Sequence, residues 1–65
     1  MFVYLNGTEK NFQPKLSLLL EEENMLEKKG IAVAVNNVVV PKMKWNEMEL
    51  KENDKILVIK ASQGG

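Results

Sequence analysis

Sixty-five residues make one small domain, because a chain of this size buries only roughly 60% of the surface its unfolded form exposes. Nine Lys balance eight Glu and one Asp, so the net charge is zero, and without Arg the chain lacks the bidentate fork that grips phosphates and base edges; no nucleic-acid partner is expected. His and Cys are both absent, which removes the usual general base, the thiolate nucleophile, every Cys/His zinc pattern and any disulfide; Ser17, Ser62 and Thr8 have no imidazole to activate them, so composition points away from an enzyme.

Met1 to Leu5 is a β-branched and aromatic run followed by Asn6-Gly7, the dipeptide that takes positive φ at both centres of a type I′ turn. A hairpin is predicted, with a short polar return strand over Thr8 to Phe12 that Gln13-Pro14 closes, since Pro cannot donate to a ladder. From Lys15 to Lys29 the period lengthens. Leu16, Leu19, Leu20 and Leu26 form an apolar stripe, and Glu21-Glu22-Glu23 reads as a solvated helix face. The spacing predicts a single helix to Lys29, with Lys28-Lys29 in its last turn and Gly30 as its αL cap; Leu18 and Met25 fall off the stripe.

Ile31 to Val35 and Val38 to Val40 are apolar strands joined by an Asn36-Asn37 turn and ended by Pro41. Lys42 to Leu50 carries Met43, Trp45, Met48 and Leu50 among charges and reads as a long connection with one 3₁₀ turn. After the polar turn Glu52-Asn53-Asp54, Ile56 to Ile59 is the last strand. No apolar run approaches the ~20 residues of a membrane span, and Met1 to Asn6 lacks the basic region of a signal peptide, so a cytoplasmic location without a membrane partner is expected.

The order β-β-α-β-β-β gives a two-layer α+β domain with one helix across one face of a mixed sheet of four to five strands. Its last three strands are apolar on both phases, although one sheet face has no helix over it. Either loops such as Lys42 to Leu50 cover that face, or a partner does. The chain divides into a domain over residues 1–61 and a flexible C-terminal Gly-Gly tail over 62–65. Gly64 and Gly65 have an ordinary reading as a frayed end. They also place a carboxylate on a thin arm with no Cβ to obstruct entry into a narrow active site.

In order and spacing, a set of residues along essentially the whole chain resembles the ThiS family, ubiquitin-like β-grasp sulfur carriers of thiamine (thiazole) biosynthesis. They are Leu5-Asn6-Gly7, Leu19-Leu20-Glu21, Val33-Ala34-Val35-Asn36, Val39-Val40-Pro41, Trp45, Asn53-Asp54-Lys55-Ile56-Leu57 and Gly64-Gly65. Lys42 stands where the family often has Arg, and Asn53 where it often has Gly; the first keeps the charge and the second tolerates αL.

The resemblance implies a carrier and co-substrate, not a catalyst. Gly65 would be the acyl-adenylate and thiocarboxylate site, at the end of an arm that includes Gly64 and Gln63. Implied partners are a ThiF-like adenylyltransferase, a ThiG-like thiazole synthase and a sulfur donor such as a cysteine desulfurase. ATP and Mg would belong to the adenylating partner, and no cofactor is expected on the chain itself. The expected docking surface is the sheet face away from the helix, carried by Leu57, Ile59 and Ala61, or by Ile56 and Val58 in the opposite register, since a one-residue slip exchanges faces. Alternatives are a carrier like the molybdopterin synthase small subunit, which is typically longer with a more aromatic approach to its tail, and a ubiquitin-like protein modifier.

Overall fold

A computed structural model of the protein describes residues 1–60; the predicted tail and Ala61 lie outside the described residues. Five strands and one α-helix occur among those described: β1 (Phe2–Leu5), β2 (Thr8–Asn11), α1 (Leu16–Glu22), β3 (Ile31–Val35), β4 (Val38–Val40) and β5 (Lys55–Lys60), with a 3₁₀ turn over Lys42–Lys44. The sheet order is β2-β1-β5-β3-β4. The outer pairs are antiparallel hairpins, and β5 enters between them, parallel to β1 and antiparallel to β3. This is the expected mixed β-grasp sheet, with five strands.

Both hairpins close through two residues of positive φ, Asn6 and Gly7 at 51° and 82° and Asn36 and Asn37 at 49° and 72°. That pair of signs is what a type I′ turn requires, and it matches the right-handed twist of the strands on either side. Val3, Leu5, Val33, Val35 and Ile56 face inward and are buried with Leu16, Leu19 and Leu20 of α1, so the core lies between the sheet and the helix as the apolar stripe predicts.

The helix is shorter than its sequence pattern. α1 ends at Glu22, and Asn24 adopts φ 60°. The Met25 N–H returns to the Leu20 carbonyl at 2.7 Å and the Asn24 N–H to the Glu21 carbonyl at 3.0 Å. These two bonds define a Schellman cap with Asn24, not Gly30, as its left-handed residue, and Met25 packs on the core beside the cap. Three consecutive Glu with no basic residue in the last turn oppose the helix dipole and disfavour further turns. Leu26, beyond the cap, is only partly buried. Gly30 does take positive φ, 73°, but at the entry to β3.

The connection after β4 finishes the other end of the helix. The N-cap residue, Lys15, makes no side-chain capping hydrogen bond. Instead the Leu16 and Ser17 N–H groups donate to the carbonyls of Met48 and Trp45, at 3.0 and 3.3 Å, which satisfies two donors that a helix start leaves unpaired. Trp45 is buried in the same core, and its Nε1–H donates to the Val40 carbonyl at 2.9 Å. The Lys42 ammonium stands 6.0 Å from the centroid of the Trp45 ring. Buried Trp45 and Leu50 thus tie this connection to the helix side, and among the described residues the opposite sheet face is left bare.

Candidate functional site

On the bare face the outward phase of β5 is Leu57 and Ile59, 46% and 53% exposed. Ile56 is 2% exposed and Val58 packs partly against the core. Of the two registers considered from the sequence, the one that turns Leu57 and Ile59 outward is therefore present. Ile56 is withdrawn as a docking residue, and Val58 shares its inward phase, because residues two apart on a strand point to the same side.

The neighbours of Leu57 and Ile59 on β3 are small. Ala34 pairs with Leu57 and also with Val39 of β4, and Ala32 pairs with Ile59. Leu57 and Ile59 on one flank and exposed Val39 on the other thus border a low track over the two alanines. At the turn end of the face, Tyr4, Asn6, Gly7, Asn37, Lys55 and Leu57 line a groove of about 530 Å³. Phe2, also exposed, adds to the apolar area on β1. Patches of this kind on small proteins commonly mark interaction surfaces.

Strand β5 is gripped over Lys55 to Val58 by the first residue of each hairpin turn. Asn36 donates its N–H to the Lys55 carbonyl at 2.7 Å, accepts the Lys55 N–H on Oδ1 at 2.9 Å, and donates from Nδ2 to Asp54 at 2.9 Å. Asp54 also accepts the Lys51 N–H at 2.7 Å, which closes the polar turn in which Asn53 takes φ 72°. On the other side, Asn6 donates its N–H to the Ile56 carbonyl at 2.9 Å and accepts the Val58 N–H on Oδ1 at 2.8 Å. Sequence reasoning missed both grips. A type I′ turn already accounts for Asn at these positions, so no local signal announced a second use.

Gln63, Gly64 and Gly65 of the predicted arm, and Ala61, lie outside the described residues. Lys60, which ends β5, pairs with Ile31 across the sheet. Among the described residues no group of three or more carboxylates gathers to hold a metal ion, and no helix is long and apolar enough to cross a membrane. The geometry offers an exposed apolar sheet face and a central strand leading towards the C-terminus.

The comparisons with known proteins agree with this architecture. A crystal structure of the thiamine biosynthesis protein (ThiS) from Geobacter metallireducens superposes with a TM-score of 0.82 at 17% identity, over 100% of each chain. A solution structure of a thiamine biosynthesis protein from the same organism gives 0.73 at 17% identity, covering 100% of this chain and 88% of that one. At such identity these two likenesses establish the fold. No curated protein matches the sequence. The ThiS family model matches residues 3–65, nearly the entire length, and the chain therefore belongs to the ThiS family of small sulfur carriers.

Proposed function

We propose that the chain carries sulfur on the carboxyl group of Gly65 for construction of the thiazole ring of thiamine. The observation that supports this most strongly is the extent of the family match, which runs through Gly64 to Gly65, five residues beyond the central strand β5. A free carboxylate is resonance-stabilised and has no leaving group. An adenylating partner of the ThiF-like kind supplies one: a Gly65 carboxylate oxygen attacks the α-phosphorus of ATP and pyrophosphate departs, with ATP and Mg held in the partner's site. The terminal sulfur of a donor persulfide, such as that of a cysteine desulfurase, then displaces AMP, and a thiol cleaves the resulting S–S bond to leave the thiocarboxylate. A thiazole synthase is the acceptor.

The absence of Cys makes the terminal acyl group the natural carrier, since the chain has no thiol of its own. Leu57 and Ile59 on the bare sheet face are the docking residues for the adenylating enzyme, and Ala61, two positions further in the sequence and outside the described residues, is assigned to the same set. The carrier reading is tested by incubating the protein with an adenylating partner, ATP and a persulfide donor, and measuring pyrophosphate release and intact mass. One oxygen is expected to be exchanged for one sulfur, at Gly65 alone. Deleting Gly65 withdraws the carboxylate by about 3.3 to 3.6 Å, against a misplacement of ~1 Å that already costs about a hundredfold in rate. Gly64→Val adds bulk to the arm and is expected to impair activation without altering stability. Equal activation of wild type, the deletion and Gly64→Val would overturn the carrier function.

A further inference from the structure

We infer that Asn6 is a positioning residue for the sulfur-carrying end: its side chain fixes the point at which β5 leaves its β1 neighbour. This rests on the carrier reading above. The parallel pairing of β1 with β5 runs through Tyr4↔Lys55 and Leu5↔Ile56 and stops there, because β1 turns at Asn6 with φ 51°. In a continued parallel ladder the next N–H of β5 on this side, that of Val58, would go to a main-chain carbonyl. It goes instead to Asn6 Oδ1 at 2.8 Å, while the Asn6 N–H holds the Ile56 carbonyl at 2.9 Å. One residue thus binds two successive β5 groups and extends the ladder past the point where its own backbone has left it.

The requirement is narrow. The position needs positive φ, which favours Gly, Asn and Asp, and an acceptor on a short side chain, which excludes Gly. Ile59 and Lys60 pair with β3 alone, through Ala32↔Ile59 and Ile31↔Lys60, and without that acceptor this one-sided stretch would begin at Val58. The residues leading to Gly65 would then follow a longer one-sided stretch of β5, and presentation of the carboxylate would become less productive. Leu57 and Ile59 keep their β3 pairs, so docking is the smaller casualty.

The test compares Asn6→Gly, which keeps the turn and removes the acceptor, with Asn6→Asp, which keeps both. Two readouts are taken: amide hydrogen exchange at Val58 by NMR, and kcat and KM for pyrophosphate release by the adenylating partner with the carrier as varied substrate. For Asn6→Gly, Val58 exchange is expected to rise about tenfold and kcat to fall about three- to tenfold, a larger effect than any rise in KM from the loss of the Asn6 side chain in the groove lining, the range set by loss of one net hydrogen bond. Asn6→Asp is expected to restore both readouts. Unchanged kcat in Asn6→Gly, failure of Asn6→Asp to rescue, or a kcat loss without faster Val58 exchange would each overturn the assignment. Failure of the wild-type protein to release pyrophosphate would instead remove the carrier reading on which it rests.

Discussion

Asn24 separates two accounts of the helix by the sign of one substitution. If the helix continued to Lys29, Asn24 would be an interior position, and Asn24→Ala would gain up to ~0.7 kcal/mol of helix propensity. In the structure Asn24 is the left-handed residue of a Schellman cap at φ 60°. An L-residue with an ordinary side chain loses about 1 to 2 kcal/mol there, whereas Asn is among the few that tolerate it. Asn24→Ala is therefore expected to destabilise the domain by ~1 kcal/mol, and Asn24→Gly to match or exceed wild type. For a domain of this size 1 kcal/mol corresponds to a Tm shift of ~4–8 °C. Thermal unfolding of wild type and the two variants, followed by circular dichroism under identical conditions, measures the difference. A Tm for Asn24→Ala equal to or above wild type would refute the cap and restore the longer helix.

Leu20 is fully buried and Leu18 is 41% exposed on the same helix, so Leu20→Ala is expected to cost about 2 to 5 kcal/mol and Leu18→Ala within ~0.5 kcal/mol. Urea titration of both variants checks this, and equal midpoints would remove the assigned core face. On the bare sheet face, Leu57→Lys and Ile59→Lys are expected to weaken capture by an adenylating partner at least tenfold while leaving Tm within a few degrees. Isothermal titration calorimetry and melting curves read the two effects separately; undiminished affinity in both variants would place docking elsewhere.

The turns and the core were legible because they are encoded locally. Asn6-Gly7 and Asn36-Asn37 each carry the backbone preference their turn needs, and Leu16, Leu19 and Leu20 fall at helical spacing. The helix end was obscured because Met25 and Leu26 prolong the apolar pattern past a cap formed by Asn24, whose left-handed tolerance competes with continued helix. Ile56 to Ile59 is apolar on both phases, so its facing was decided only by pairing with β1 and β3. Trp45 could be singled out as apolar among charges, but its carbonyl's role at the start of α1 depends on bringing together residues 28 positions apart. The bond from Asn6 to Val58 spans a still greater separation, and two glycines in a sequence carry no apolar pattern from which a role can be read.

The placement of β5 between two local hairpins also governs how the domain can come apart. Each hairpin is closed by a two-residue turn and forms cheaply, yet an isolated two-stranded hairpin is at best marginally stable in water. Bringing Lys55 beside Tyr4 closes a loop of roughly 50 residues, an entropic cost of about 3.5 kcal/mol before any constant term. Among the described residues, the strand that meets this cost is also the sole sheet connection between the hairpins, since neither β1 nor β2 pairs with β3 or β4. Detaching β5 would therefore divide the sheet into fragments too small to persist, instead of fraying one edge. Folding cooperativity consequently rests on a strand that comes late in the sequence and lies centrally in the sheet.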